Sequence, residues 1–188
     1  MKRALFVMLA AAAFSLAGLA ESVLADGNGV VFYRIGEGSP QQWTFVKEYF
    51  EGRGYPVIIY QGETQVEKHI EKVDMINRSP AKILLAVQMV KGDVTRVTVA
   101  MTDAKKEEGR FLTIDQTPGP FAEESQRLAT DIAAPFKVKV KHFPLFPLLG
   151  VTMPGAFVRV DYREGDMEDV VHKLCEGVGR YFTERMAR

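Results

Sequence analysis

The residues that most often carry out chemistry in proteins are few in this sequence. It has three histidines, His69, His142 and His172, and one cysteine, Cys175. No two histidines have the close spacing of a local metal site, and one thiol cannot form a multi-thiolate zinc site or an internal disulfide. The sequence contains no G-x-S-x-G, P-loop or H-E-x-x-H motif. We therefore interpret the histidines as structural residues, and we expect His69 to be exposed or half-buried on a helix.

Acidic residues at the end of a predicted strand are the next candidates for a site. Asp161 ends an apolar run and Glu164 follows it closely. Ligands of open α/β sheets bind beyond the carboxyl ends of the strands, so both acids are well placed, although surface acids are also common there. Gly36-Glu37-Gly38 follows another predicted strand, but it is too short for a dinucleotide-binding motif and predicts a turn.

The composition is that of one globular domain. The chain has 188 residues, of which 47% are hydrophobic and 26% are charged. This is enough to build a sizeable core, and it argues against disorder. The 24 basic and 24 acidic side chains balance. Because phosphate binding needs clustered lysine and arginine, we expect no nucleic acid as a partner.

The first 25 residues have the pattern of a secretory signal peptide. Two basic residues precede the uncharged run Ala4–Ala20, and Val23-Leu24-Ala25 then provides a cleavage site. The alternative is a transmembrane anchor, but the run is slightly short for a span of about 20 residues. We therefore expect residues 1–25 to be removed and residues 26–188 to form one periplasmic or secreted domain without a membrane anchor. In that oxidising compartment Cys175 is expected to be buried and inert.

The rest of the chain alternates predicted strands and helices. Short β-rich apolar runs predict strands at Val30–Tyr33, Val57–Tyr60, Ile83–Val90, Val94–Met101, Phe136–Val140 and Ala156–Asp161. Apolar residues at helical spacing predict helices after the capping boxes Ser39–Gln42 and Thr64–Glu67, over Phe121–Ala133, and from Asp166 onward.

This order of elements predicts an α/β fold. We expect three layers, with a mostly parallel sheet between helices on both faces. Lys91-Gly92-Asp93 predicts a hairpin between the third and fourth strands, which would make the sheet mixed. The second helix is expected to bury Val66, Ile70, Val73 and Ile76, and the third to end before Pro135.

Four segments spread over the chain after residue 25 carry a resemblance to a known family. They are Asn77–Val87, Ser125–Ile132, Met153–Val158 and Glu176–Phe182. In this order they resemble the N-x-x-x-A-D-L-F-I-S-I strand, the S-x-x-L-A-x-x-I helix, the M-P-A-V-L-V strand and the E-G-I-x-x-Y-F helix end of the zinc-dependent N-acetylmuramoyl-L-alanine amidases. Those exported enzymes cut between the glycan chain and the stem peptide of peptidoglycan. The resemblance implies the same α/β fold.

The resemblance also marks the positions at which this family binds zinc, and the residues there differ. Gly36 and Gln88 stand where two zinc-binding histidines would be, and Arg159 stands where the catalytic glutamate would be. The segment with the remaining ligand, a glutamate, is nearly absent, and Glu37 is the only carboxylate in reach of its place. Glycine offers no ligand, a neutral amide is a poor one, and a guanidinium stays cationic. The resemblance therefore implies a degenerate site with no catalytic residue, no metal and no other cofactor.

Two functions of different classes follow from this resemblance. The first is a non-catalytic binding or regulatory module of the cell envelope, holding a peptidoglycan stem peptide or a periplasmic protein. Its candidate ligand-binding residues are Gly36, Glu37, Gln88, Arg159 and Asp161. The alternative is an active zinc-dependent amidase, for which His69 and His142 are the spare imidazoles.

The degenerate site raises the question of what accompanies Arg159. A guanidinium beside a partly enclosed groove loses water and needs an anionic partner. We expect a pair with Glu37, or a short network that includes Gln88 or Asp161. The alternative is that the long side chain of Arg159 reaches solvent.

Overall fold

The computed structural model describes residues 27–36, 38–103 and 117–186. The predicted signal peptide and Glu37 lie outside the described residues. The strands are β1 (Val30–Ile35), β2 (Val57–Gln61), β3 (Ile83–Lys91), β4 (Arg96–Met101), β5 (Lys141–His142) and β6 (Gly155–Tyr162). The helices are α1 (Pro40–Glu51), α2 (Val66–Asn77), α3 (Ala122–Phe136) and α4 (Met167–Met186).

The strands form one mixed sheet in the order β2-β1-β3-β6-β4-β5. β2, β1, β3 and β6 are parallel to one another, and β4 runs antiparallel to β6. The α/β fold with a mostly parallel sheet is confirmed. The predicted hairpin between β3 and β4 is wrong, because β6 lies between them. β6 pairs with β3 on one side and with β4 on the other, and its residues Ala156, Val158 and Val160 are fully buried.

Helices cover both faces of the sheet, which gives the three predicted layers. Successive side chains of a strand point to opposite faces, so each central strand contributes to two cores. On one face Phe32 and Val87 pack with side chains of α1, α3 and α4. On the other face Tyr33 and Ala86 pack with α2 and with the segment 145–153. No helix among the described residues is long and apolar enough to cross a membrane.

The two predicted capping boxes have different outcomes. At α1 the box is confirmed, since Ser39 and Gln42 exchange the expected hydrogen bonds. At α2 it is wrong, because the N-cap is Gln65 and its side chain makes no capping bond.

The buried stripe of α2 also differs from the prediction. Val66 and Ile70 are 48% and 46% exposed, whereas His69 is fully buried beside Val73 and Ile76. The apolar spacing alone could not reveal this, because the partners that satisfy the imidazole come from distant parts of the chain.

The end of α3 lies one turn later than the proline suggests. α3 includes Pro135 and ends at Phe136. Lys137 is the C-cap residue, with a left-handed conformation (φ 56°), and its N–H donates to the carbonyls of the last turn. A proline in the last turn removes only one helical donor, so the helix can include it. The strand predicted over Phe136–Val140 is wrong, and β5 has only two residues.

The terminal helix α4 packs closely on α3. Its predicted apolar stripe is buried as expected: Val170, Leu174, Val178, Tyr181 and Phe182. Cys175 is also buried, as predicted, and burial raises the pKa of its thiol to about 11.

Gly177 lies directly against the backbone of α3, where a Cβ would come within 2.5 Å of the Cα of Ile132.

Candidate functional site

The topology places a crevice at the carboxyl ends of β1 and β3. After β1 the chain passes along one face of the sheet through α1, and after β2 it returns along the other face through α2. The chain leaves β1 towards β2 and leaves β3 towards β4, in opposite directions along the sheet. The crevice between two such strands is where open α/β sheets bind ligands.

An open cavity of about 320 Å³ lies at this edge, and we call it the carboxyl-edge cleft. It is lined by residues from the ends of β1, β3 and β6 and from the start of α1. The described lining residues are Ile35, Gly36, Ser39, Gln42, Gln88, Met89, Val90, Lys91 and Tyr162.

Two of the sequence-predicted site residues line the cleft, and two lie outside its lining on the adjacent strand β6. Gly36, with a positive φ of 77°, and Gln88 both line the cleft. Arg159 lies in register with Gln88 on the adjacent strand β6. Asp161 lies two residues further along β6, so its side chain is on the same sheet face as that of Arg159. Glu37 is not among the described residues, so its predicted pairing with Arg159 stays a prediction.

Arg159 and Asp161 form an ion pair within β6. The Nε and Nη2 atoms of Arg159 lie 3.2 and 3.0 Å from the Oδ1 atom of Asp161. This is one of the partners predicted for Arg159. The side chains are 47% and 28% exposed, so the guanidinium is neither buried nor free in solvent. Exposed ion pairs contribute about 0.2–1 kcal/mol to the stability of the fold. The fold therefore does not depend on this pair, and either side chain can exchange its partner for a ligand.

Sequence reasoning missed three side chains at the cleft. The amide of Gln42 donates to the hydroxyl of Tyr162, which joins α1 to the end of β6. Lys91 forms an exposed ion pair with Glu164, with 2.8 Å between Nζ and Oε2. This contact raises the pKa of Lys91 and lowers that of Glu164. Gln42 was detectable only as a capping residue, and nothing in the local pattern distinguishes Lys91 from a turn residue.

The indole of Trp43 lies beside the start of α1. The side chain is 3% exposed, and its Nε1 atom has no hydrogen-bond partner in the described part of the chain. Its N–H edge faces Gly38, where a Cβ would lie 2.5 Å from Nε1. Glycine is therefore the residue that permits this close approach.

His69 occupies a buried hydrogen-bonded chain on the other face of the sheet. Its Nε2 atom lies 3.0 Å from the carbonyl oxygen of Leu149, so Nε2 carries the proton. Its Nδ1 atom therefore accepts from the hydroxyl of Tyr33 at 2.9 Å, and that hydroxyl accepts from the N–H of Glu63. Burial lowers the pKa of His69, and the expectation of an exposed or half-buried histidine is wrong.

The remaining histidines lie on the surface and have different partners. The Nδ1 atom of His142 lies 3.2 Å from a carboxylate oxygen of Asp103, and that of His172 lies 2.7 Å from the hydroxyl of Tyr49. Within the described ranges, no three His, Cys, Asp or Glu side chains are grouped so that they could hold a metal ion.

Comparison with known proteins finds relatives at the level of structure. No family model matches the sequence, and no curated protein matches it. The structure is similar to that of the N-acetylmuramyl-L-alanine amidase Ami1 from Mycobacterium smegmatis, with a TM-score of 0.52, 9% identity, and coverage of 84% of this chain and 98% of that chain. It is also similar to the apo form of Ami1 from Mycobacterium abscessus, with a TM-score of 0.52, 10% identity, and coverage of 83% and 99%.

The sheet with its helices and carboxyl-edge cleft defines an open α/β domain. Its arrangement is that of the N-acetylmuramoyl-L-alanine amidases, and the similarity covers nearly the full length of the two mycobacterial enzymes. At these identities the likeness concerns the fold, and the activity has to be argued from the residues of the site.

Proposed function

We propose that this chain is an exported, non-catalytic binding domain of the cell envelope with the amidase fold. Its binding site is the carboxyl-edge cleft together with the adjoining face of β6. The ligand we propose is peptidoglycan, held through its stem peptide. The observation that carries the proposal is the register of Gln88 with Arg159, because it brings together two positions that the amidase resemblance assigns to zinc chemistry.

The donors at those positions do not fit a zinc ion. A glycine supplies no side-chain ligand, and a neutral amide is a poor one. The guanidinium of Arg159 cannot act as a general base at neutral pH, and it repels a divalent cation. Asp161, the carboxylate on the same face, is already in an ion pair with Arg159. These residues favour recognition of a polar ligand over activation of water.

The spare histidines add little support for the hydrolase alternative. Both ring nitrogens of His69 are engaged, one with Tyr33 and one with Leu149. Ligation by His69 would require the protein to break a buried hydrogen bond, which costs about 1–3 kcal/mol. His142 lies on the edge strand β5, which the sheet order places two strands beyond β6.

The proposal is tested by measuring binding and hydrolysis on the same preparation. The purified chain should sediment with peptidoglycan sacculi, release no stem peptides, and contain well under one zinc per chain when chelators are omitted throughout. Gln88→Ala should reduce the sedimenting fraction. Gln126→Ala, on the exposed part of α3, is the matched control and should leave it unchanged. Stoichiometric zinc with release of stem peptides would establish the hydrolase instead.

A further inference from the structure

We propose that the exposed half of one sheet face, beside the carboxyl-edge cleft, binds carboxylate groups of the stem peptide through the guanidinium groups of Arg96 and Arg159. This inference rests on the proposed binding function and names the chemical group that the site recognises. We call this surface the open sheet face. Its residues come from β3, β4 and β6, and they are Gln88, Val90, Arg96, Thr98, Arg159 and Asp161.

Strand register places these side chains on the same face of the sheet. Arg159 on β6 lies between Gln88 of β3 and Thr98 of β4. Asp161 lies two residues further along β6, opposite Arg96 of β4. Directly paired residues share a face, and so do residues two apart along a strand. The two arginines are therefore diagonal neighbours, about 7–8 Å apart at the backbone, and their long side chains can reach one ligand.

The open sheet face is exposed, although the other half of the same face is buried. Ala86 and Ala100, on the same face of β3 and β4, are fully buried in the core that includes side chains of α2 and of the segment 145–153. In the open half the Arg159 side chain is 47% exposed and Val90 is 37% exposed. Parallel strands such as β3 and β6 are normally covered on both faces. Exposure of this pair therefore indicates a surface that another molecule covers.

The charges of the open sheet face favour an anionic partner. Its two cations are Arg96 and Arg159, and its one acid is Asp161. The Arg96 side chain is exposed and has no hydrogen-bond or ion-pair partner in the described part of the chain. Arg159 is held by Asp161 in a partly exposed pair that a ligand can replace. A guanidinium presents a planar fork of donors that matches a carboxylate, so this face offers two such groups to an acid and repels an amine.

The surroundings of the two arginines favour a peptide as the source of the carboxylate. Gln88 and Val90 belong both to the open sheet face and to the lining of the carboxyl-edge cleft, so the two surfaces are continuous. The amide of Gln88 can donate to and accept from a peptide backbone, and Val90 offers an apolar contact. A stem peptide supplies backbone amides, apolar side chains and carboxylates together, whereas a free inorganic anion would contact only the arginines.

The test compares stem peptides with and without their carboxylate groups. Peptides released from sacculi are divided into two portions, and in one portion every carboxyl group is converted to a methylamide. Binding of each portion to the purified full chain is measured by isothermal titration calorimetry at constant ionic strength. We expect the unmodified peptides to bind at least about tenfold more tightly, since the blocked peptides lose charge-assisted hydrogen bonds.

Variants of the open sheet face should change the affinity for the unmodified peptides alone. Arg96→Gln and Arg159→Gln should each weaken it about tenfold, and neither should change the affinity for the blocked peptides. Asp161→Asn should strengthen it several-fold, since it frees the guanidinium of Arg159. The matched control is Arg78→Gln, from an exposed ion pair with Asp74 at the end of α2, which should change the affinity less than about twofold.

Two results would overturn the carboxylate site. One is equal affinity for the two portions, and the other is equal weakening by Arg78→Gln and Arg159→Gln, which indicates only a general effect of charge. Failure here is distinct from failure of the proposed function. Sacculi that sediment the chain, with equal affinity for both portions, refute the carboxylate site alone. Peptide binding that depends on the carboxylates, without sedimentation by sacculi, refutes binding to intact peptidoglycan alone.

Discussion

Gly177→Ala should destabilise the protein, although alanine forms helices better than glycine. An added Cβ would lie 2.5 Å from the Cα of Ile132 and 2.8 Å from the carbonyl oxygen of Asp131. Ordinary contacts between such atoms begin at about 3.5 Å, so α3 and α4 must separate by about 1 Å. Both obstructing atoms belong to the backbone, and no side-chain rotation relieves the overlap.

The magnitude follows from two opposing contributions. Overpacking of a core contact costs about 1–3 kcal/mol, and the upper end applies where backbone must move. Replacing glycine by alanine inside a helix returns about 1 kcal/mol. We expect Gly177→Ala to lower the free energy of unfolding by about 2 kcal/mol, which corresponds to a Tm lower by about 4–8 °C.

Gly179, two residues along α4, provides the matched control. A Cβ there would meet only the hydroxyl group of Tyr55, at 2.9 Å, and this side chain can move. Gly179→Ala should therefore change the free energy of unfolding by less than about 1 kcal/mol. Urea unfolding followed by circular dichroism measures both variants. A Gly177→Ala protein as stable as the parent, or equal effects of the two substitutions, would refute the close packing of α3 and α4.

Three further predictions concern single side chains. Burial lowers the pKa of His69, so below about pH 6.5 the unfolded chain binds a proton that the folded chain does not bind. The free energy of unfolding should therefore fall as the pH is lowered from 7 to 5. His69→Gln should make this pH dependence weaker, as measured by urea unfolding at each pH. Arg159→Ala should cost about 0.2–1 kcal/mol, and a double-mutant cycle with Asp161→Ala should give a coupling of the same size; strict additivity contradicts the pair. The Cys175 thiol, with its pKa raised to about 11, should react with a thiol reagent only under denaturing conditions, and rapid labelling of the folded chain contradicts its burial.

The sequence predicts the individual strands and helices better than it predicts which strands lie next to each other in the sheet. The capping box at Ser39 and the apolar runs of β1, β3 and β6 are local signals, and the structure confirms them. The pairing of β4 depends on a strand that lies more than fifty residues later in the chain, so the turn at Lys91-Gly92-Asp93 misled the prediction.

The same distinction applies to the candidate site. Gly36, Gln88 and Arg159 were singled out by resemblance, and their meeting at one sheet edge follows from parallel register. Lys91 was not singled out, because its role depends on the cleft that three strands and a helix form together. His69 was misplaced on its helix for the same reason, since its partner Leu149 lies eighty residues away.

The central position of β6 has a consequence for the order in which the protein can fold. β6 is the last strand in the chain, yet it lies between β3 and β4. A growing chain that has reached only α3 holds β1, β2 and β3 without their central neighbour, and the apolar edge of β3 stays open. Such edges are templates for association between chains. Completion of the sheet must therefore wait until nearly the whole chain is available, and its long-range pairing favours slow folding and a need for protection in the interval.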